Sequence, residues 1–207
     1  MPDHRYEFLR PATAALVLID HHAGLIAGVR SQDPNALRRN TASLTRLAGI
    51  FDLPVVVTGE PPGNIYGPVV DEVKQNLTGI EILHRTSISA FDDQGVVDAV
   101  AATGRRQLVM AGVTTDVCLS FAAIQAVAAG YDVYAVLDAS GSFDVASEAA
   151  AVQRMSAAGV KPTTWVGVAA ELQHDWALPT GRQVGWLYGS AVPAVTGVVT
   201  NLQSATV

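Results

Sequence analysis

Three residues of this 207-residue chain have the types and placements of a nucleophile–base arrangement: the lone cysteine Cys118, Asp20 and Arg85. Cys118 sits in Gly112-Val113-Thr114-Thr115-Asp116-Val117-Cys118-Leu119-Ser120-Phe121. The apolar, β-branched run 107–113 before it reads as a buried strand. Residues 119–129 after it read as a helix, with Thr115 or Asp116 as the natural N-cap. The thiol is therefore predicted in the first turn of a helix, just past the C-terminal end of a strand. Backbone N–H groups and the helix dipole there favour a thiolate, and ligands of open α/β sheets bind at that edge. A small buried core cysteine fits the same spacing. Asp20 closes the first predicted strand and Arg85 the third. In a parallel sheet such ends face one side, so an acid, a cation and a thiol can converge. Taken singly, Asp20 also fits a helix cap or turn carboxylate, and Arg85 a surface salt bridge.

The elements that must position these residues alternate between strand and helix. Strands are predicted at 14–20, 53–58, 81–85, 107–113, 131–138 and 163–168. Helices are predicted at 36–51, 69–77, 93–103, 116–129, 147–158 and 169–176. Leu37, Leu44, Leu47 and Ala48 share one face of the first helix, and Gly104, Gly130 and Gly159 stop three others. The strands are apolar without interruption, the mark of strands covered by helices on both faces. Alternation with right-handed crossovers then gives a three-layer α/β/α fold around a six-stranded, mainly parallel, doubly wound sheet. The loop 59–68, rich in turn residues, follows a strand end, where it could roof a site or simply connect elements. No linker or repeat divides the chain, so residues 1–207 are expected to form a single domain. The tail 181–207 is mildly apolar, with no charge after Arg182; it fits a cap on the core and a surface for another subunit equally well.

Composition narrows the function classes. Hydrophobic residues make up 49% of the chain and charged residues only 15%, which indicates a well-buried protein with surface to spare for self-association. The net charge is −6 and no basic cluster occurs, so no nucleic-acid partner is expected. One cysteine excludes an internal disulfide framework and fits a reducing cytoplasm. Residues 1–7 do not read as a signal peptide, and no apolar run is long enough to imply a membrane partner. No Cys/His array for structural zinc is present. Adjacent His21 and His22 point apart, and His84 is expected on the strand face opposite Arg85, so no metal and no cofactor are assigned. No G-x-G-x-x-G follows the first strand, which argues against a dinucleotide binder.

The motifs resemble those of the isochorismatase-like cysteine hydrolases over about residues 10–175. Ala15-Leu-Val-Leu-Ile-Asp20 resembles the family's first strand with its catalytic aspartate, and Ala111-Gly-Val-Thr-Thr-Asp-Val-Cys118 its nucleophile motif. The segments 21–25, 88–93, 138–143 and 171–176 are similar to those of the YcaC-like group. The resemblance implies catalytic roles for Asp20, Arg85 and Cys118. It also implies a cis peptide between Val113 and Thr114, and an oxyanion hole from the backbone N–H groups of Thr114 and Cys118. Arg85 departs from the lysine that most of the family carries; arginine keeps the charge but does not donate a proton near neutral pH. The family's nicotinamidase-type metal site has no counterpart, since 59–68 offers Glu60 and no histidine. Together these readings predict cysteine-dependent hydrolysis of a small amide or related C–N bond through a thioester. The substrate is expected to be a small molecule and the assembly a homo-oligomer, with an octamer implied by the YcaC-like resemblance. The other reading is a family member that has lost amidase activity, with a redox-sensitive thiol or a scaffold role.

Overall fold

The first strand, β1 (Ala14–Ile19), is buried along its whole length, and its side chains divide between two cores. Leu16 and Leu18 join one apolar cluster, Ala15, Val17 and Ile19 the other, as the twofold period of a strand requires. The computed structural model describes residues 6–77, 79–192 and 194–196. The remaining strands are β2 (Val55–Gly59), β3 (Ile82–His84), β4 (Gln107–Gly112), β5 (Asp132–Val136) and β6 (Lys161–Thr163). All pair in parallel, in the order β3-β2-β1-β4-β5-β6. This is the expected doubly wound sheet. The strand order reverses between β1 and β4, so the crevice at the C-terminal ends of those two strands is the natural ligand site.

The helices are α1 (Ala23–Gly28), α2 (Pro34–Ile50), α3 (Asp71–Lys74), α4 (Gln94–Ala102), α5 (Ser120–Ala128), α6 (Val145–Ala157), α7 (Trp165–Gln173) and α8 (Gly181–Ala191). One layer buries Leu37, Leu44 and Leu47 of α2, Val168 and Leu172 of α7, and Val184 and Leu187 of α8. The opposite layer buries Val96 and Val100 of α4, Ala122, Ala123 and Ala126 of α5, and Met155 of α6. Four of these helices start on a side-chain cap: Asp33 takes the Asn35 N–H, Asp93 that of Val96, Asp144 that of Ser147, and Thr164 that of Gly167. Such a cap contributes about 1 kcal/mol.

Two expectations need correction, and an alternative left open for the tail is decided over part of its length. The run 163–168 is not a strand: β6 ends at Thr163, and α7 begins at Trp165. The cap of Thr164, and Asp138 Oδ1 accepting the Trp165 N–H at 2.9 Å, override the β-branched pattern. The helix predicted at 116–129 opens instead as a π-helical turn, Thr115–Leu119, before α5; its N-cap is Thr114, which makes no side-chain cap bond. The tail is a core cap over 181–191, because α8 packs Val184 and Leu187 against the α2 and α7 layer. Residues 197–207 of that tail, and residues 1–5 of the N-terminal segment, lie outside the described residues.

Candidate active site

Asp20 directly follows β1 and continues its ladder, its N–H donating to the Thr58 carbonyl at 3.0 Å. Its φ is 55°, in the left-handed region that few residues other than glycine enter. Across the switch point Ile19 pairs with Gly112. A Cβ on Gly112 would stand 3.2 Å from the Ile19 carbonyl oxygen and 3.3 Å from the Leu119 Cβ, so glycine lets the β4 end approach both β1 and the cysteine-bearing turn. The Val113–Thr114 peptide that follows is cis. Arg85 arrives from β3, two strands from β1; its N–H donates to the Gly59 carbonyl at 3.1 Å.

These strand ends bring the predicted residues together. Arg85 Nη2 donates to Asp20 Oδ2 in an ion pair buried on both sides. Nη1 of the same guanidinium donates to the carbonyls of Ser87 and Ile88. Asp20 Oδ1 and Arg85 Nε are buried without a hydrogen-bond partner of ordinary geometry. Cys118 is half-buried on the π-helical turn, within reach of the Asp20 carboxylate. Burial pushes its thiol up to about 12, and the charge of Asp20 and hydrogen bonding to that carboxylate push the same way. A hydrogen bond from the Thr114 backbone and the Arg85 charge act in the opposite sense but are outweighed. The expectation of a standing thiolate is thus corrected. Desolvation and the neighbouring carboxylate outweigh the turn's N–H groups, and the resting group is a neutral thiol.

The histidines have structural partners. His21 Nε2 donates to the Ala139 carbonyl at 2.9 Å, and burial lowers the imidazole below its ordinary range. His22 Nδ1 donates to the Gly67 carbonyl at 2.6 Å, and its Nε2 accepts the Glu60 N–H at 3.0 Å. His84 is exposed, bonded to the Glu60 carbonyl at 3.0 Å, away from the buried Arg85. Among the described residues no group of three or more His, Cys, Asp or Glu side chains is placed to share a metal ion. The loop 59–68 lines a cavity of about 490 Å³ with His22, Lys74 and His84; Asp20, Arg85 and Cys118 do not line it.

Sequence reasoning missed the support for Arg85. The Ser89 hydroxyl donates to Gln125 Oε1 on α5, and Gln125 Nε2 donates to Asp92 Oδ1 at 2.6 Å. This network fixes the 87–92 segment whose carbonyls hold the guanidinium. A partly buried glutamine in the middle of a helix carries no signal of such a role in sequence.

The chain's residues 14–166 match the Isochorismatase domain model. It belongs to the isochorismatase-like hydrolase family, in the YcaC-like group. It is 37% identical to the "Probable hydrolase YcaC" of Escherichia coli (strain K12) over 194 residues, 93% of each protein. The crystal structure of E. coli YcaC, described as an octameric hydrolase of unknown specificity, superposes with a TM-score of 0.92 at 37% identity, covering 97% of this chain and 98% of that one. YcaC from Pseudomonas aeruginosa, solved with hexane-2,5-diol and covalent acrylamide, gives a TM-score of 0.91 at 35% identity, covering 97% of this chain and all of that one.

Proposed function

We propose that this isochorismatase-family protein is a single-domain, cysteine-dependent amidohydrolase that opens a small amide or related C–N bond through a thioester at Cys118. The observation that carries the reading is the buried Asp20–Arg85 ion pair beside a neutral thiol at the switch point of the sheet. A neutral thiol needs a base as it attacks, and Asp20 has one carboxylate oxygen left without a partner. As the S–C bond forms, the thiol proton passes to Asp20 and the carbonyl electron pair moves to oxygen. The N–H groups of Thr114 and Cys118 receive that oxyanion; one such donor is worth about 3–4 kcal/mol. The C–N bond then breaks, and Asp20 returns the proton to the departing amine. Water attacks the thioester, giving one proton to Asp20, and the acid leaves as the thiol is restored. Arg85 stays protonated throughout and sets its positive charge against the Asp20 carboxylate. No step requires a metal or cofactor. The free thiol suits a reducing cytoplasmic compartment.

The other reading, a peroxide-sensitive thiol on a scaffold, is less well supported, because oxidation follows thiolate character and burial beside Asp20 suppresses it here. One experiment separates the two. Wild-type protein, Cys118→Ala and Asp20→Asn are incubated with a panel of small primary and secondary amides, and released amine is assayed. Acyl adducts at Cys118 are sought by mass spectrometry after acid quench. Release that needs both residues, with an acyl adduct on Cys118, is expected. Peroxide oxidation of Cys118 without release of amine from any amide would overturn the hydrolase reading.

A further inference from the structure

We infer that Arg154 and Ser120 form a positioning pair that holds the cysteine-bearing turn in its π-helical register and so aims the thiol at Asp20. The inference rests on the proposed role of Asp20 as base. In an α-helix the Ser120 N–H would bond to the Asp116 carbonyl, four residues back. Here it reaches the Thr115 carbonyl, and the Leu119 N–H likewise reaches back five residues to Thr114. The Asp116 carbonyl is taken up by side chains instead. Ser120 Oγ donates to it at 2.7 Å, and Arg154 Nη2, from α6 across the layer, donates to it at 2.7 Å. The same Nη2 also donates to Ser120 Oγ at 2.7 Å, closing a triangle of three polar atoms. The guanidinium lies over the Phe121 ring, 5.2 Å from its centroid. Every one of these contacts falls within four residues of Cys118. π-Helical turns are rare and concentrate at functional sites. Without the triangle, the free Asp116 carbonyl can recapture the Ser120 N–H. That change to α-register rotates Cys118 about the helix axis and away from the base.

The test is alkylation of the purified full chain by iodoacetamide, followed by mass spectrometry across pH, with thermal unfolding measured alongside. Wild-type protein should show a rate nearly flat from about pH 6 to 9, because Asp20 takes the proton as the thiol reacts. Arg154→Met should cut the rate at neutral pH about tenfold or more and turn the profile into a slope of about tenfold per pH unit, the signature of an unassisted thiol. Arg154→Lys should recover part of the rate, since an ammonium can donate to both acceptors as Nη2 does but on a side chain one atom shorter. Ser120→Ala should shift the profile in the same direction, with less than additive loss in the double variant. A merely structural arginine would lower the melting temperature and leave the profile flat. A flat wild-type profile that stays flat in Arg154→Met overturns the inference alone; a steep wild-type profile overturns the Asp20 reading with it. Should Arg154→Met fold poorly, Ser120→Ala decides by the same comparison.

Discussion

Asp20 is held in place by more than its strand. Its left-handed backbone costs about 1–2 kcal/mol for a residue with a Cβ, so the surrounding fold enforces the conformation. Its carboxylate faces a guanidinium that is itself 4% exposed. Removing one member of a buried ion pair strands the other charge, at about 3–5 kcal/mol. Arg85→Met should therefore lower unfolding free energy by about that much in urea titrations, whereas Arg85→Lys should lose less because the charge stays. By the same logic Asp20→Asn should also destabilise the fold, since it too strands Arg85. The double variant Asp20→Asn/Arg85→Met should regain stability relative to either single change, while remaining inactive. A double variant no more stable than the singles would show that the two charges do not compensate each other. Cys118 makes a separate, pH-dependent contribution. Its folded thiol is pushed up to about 12, so on raising the pH the unfolded chain releases this proton first, near the free value of about 8.5. The contribution to stability is intact below that value and is lost as pH rises from there toward 12. Subtracting the pH–stability curve of Cys118→Ala from that of the wild type should isolate this fall, and equal slopes for the two proteins above pH 9 would contradict it.

At the scale of elements, the start of α7 shows what governs the fold between strands. Asp138, in the short turn after β5, accepts the Trp165 N–H, and burial raises its carboxyl to about 6. The raised value means the folded protein holds a proton that the unfolded chain gives up near 3.9. Stability from this group is present at acid pH and falls as pH climbs through about 4 to 6. Asp138→Asn keeps an acceptor for Trp165 and should flatten that part of the pH–stability curve; Asp138→Ala should also lose the hydrogen bond to the Trp165 N–H, about 1 kcal/mol. An Asn variant whose curve matches the wild type would remove Asp138 as the titrating group. The same helix explains where sequence reading failed. The interiors of β1 and β4 were legible because burial on both faces writes an unbroken apolar run into the chain. Asp20, Arg85 and Cys118 were legible as a convergent set because parallel strand ends share one edge. Thr163-Thr-Trp-Val-Gly-Val168 reads as a strand by composition, yet its N–H groups find Asp138, 27 residues earlier, and its own Thr164. The π register at Cys118 was hidden for a related reason: it is set by donors from Ser120 and from Arg154, on another helix. The state of the thiol was misread because burial and the approach of Asp20 are properties of the packed site, whereas the position of a cysteine at a helix start is a property of the chain.

At the scale of the whole molecule, the surface does not resemble that of a finished monomer. Ile65, Ile88, Phe143, Val145, Trp176 and Trp186 are each at least half exposed, and apolar side chains that adjoin in one patch mark interaction surfaces. Among the described residues no helix is long and apolar enough to cross a membrane. Of the three tryptophans, Trp165 belongs to the core, 3% exposed and packed edge-on against Tyr188. Trp176 and Trp186 remain available, and Trp186 borders an open groove of about 970 Å³ between α2 and α8, with Arg46, Ile50 and Arg182 among its lining residues. E. coli YcaC is described as octameric, and the present chain superposes on it over nearly its full length. We expect a homo-oligomer in solution, with light scattering at micromolar concentration giving a mass of several times the 21.6 kDa of one chain. Replacing Ile88 and Val145 with aspartate buries charge in any contact those side chains make and should reduce the mass to that of smaller assemblies. A wild-type mass equal to one chain would refute self-association and leave the apolar surface unexplained. The residues that carry the proposed chemistry would be unaffected by that result, because Asp20, Arg85 and Cys118 all come from one chain and meet at one edge of one sheet.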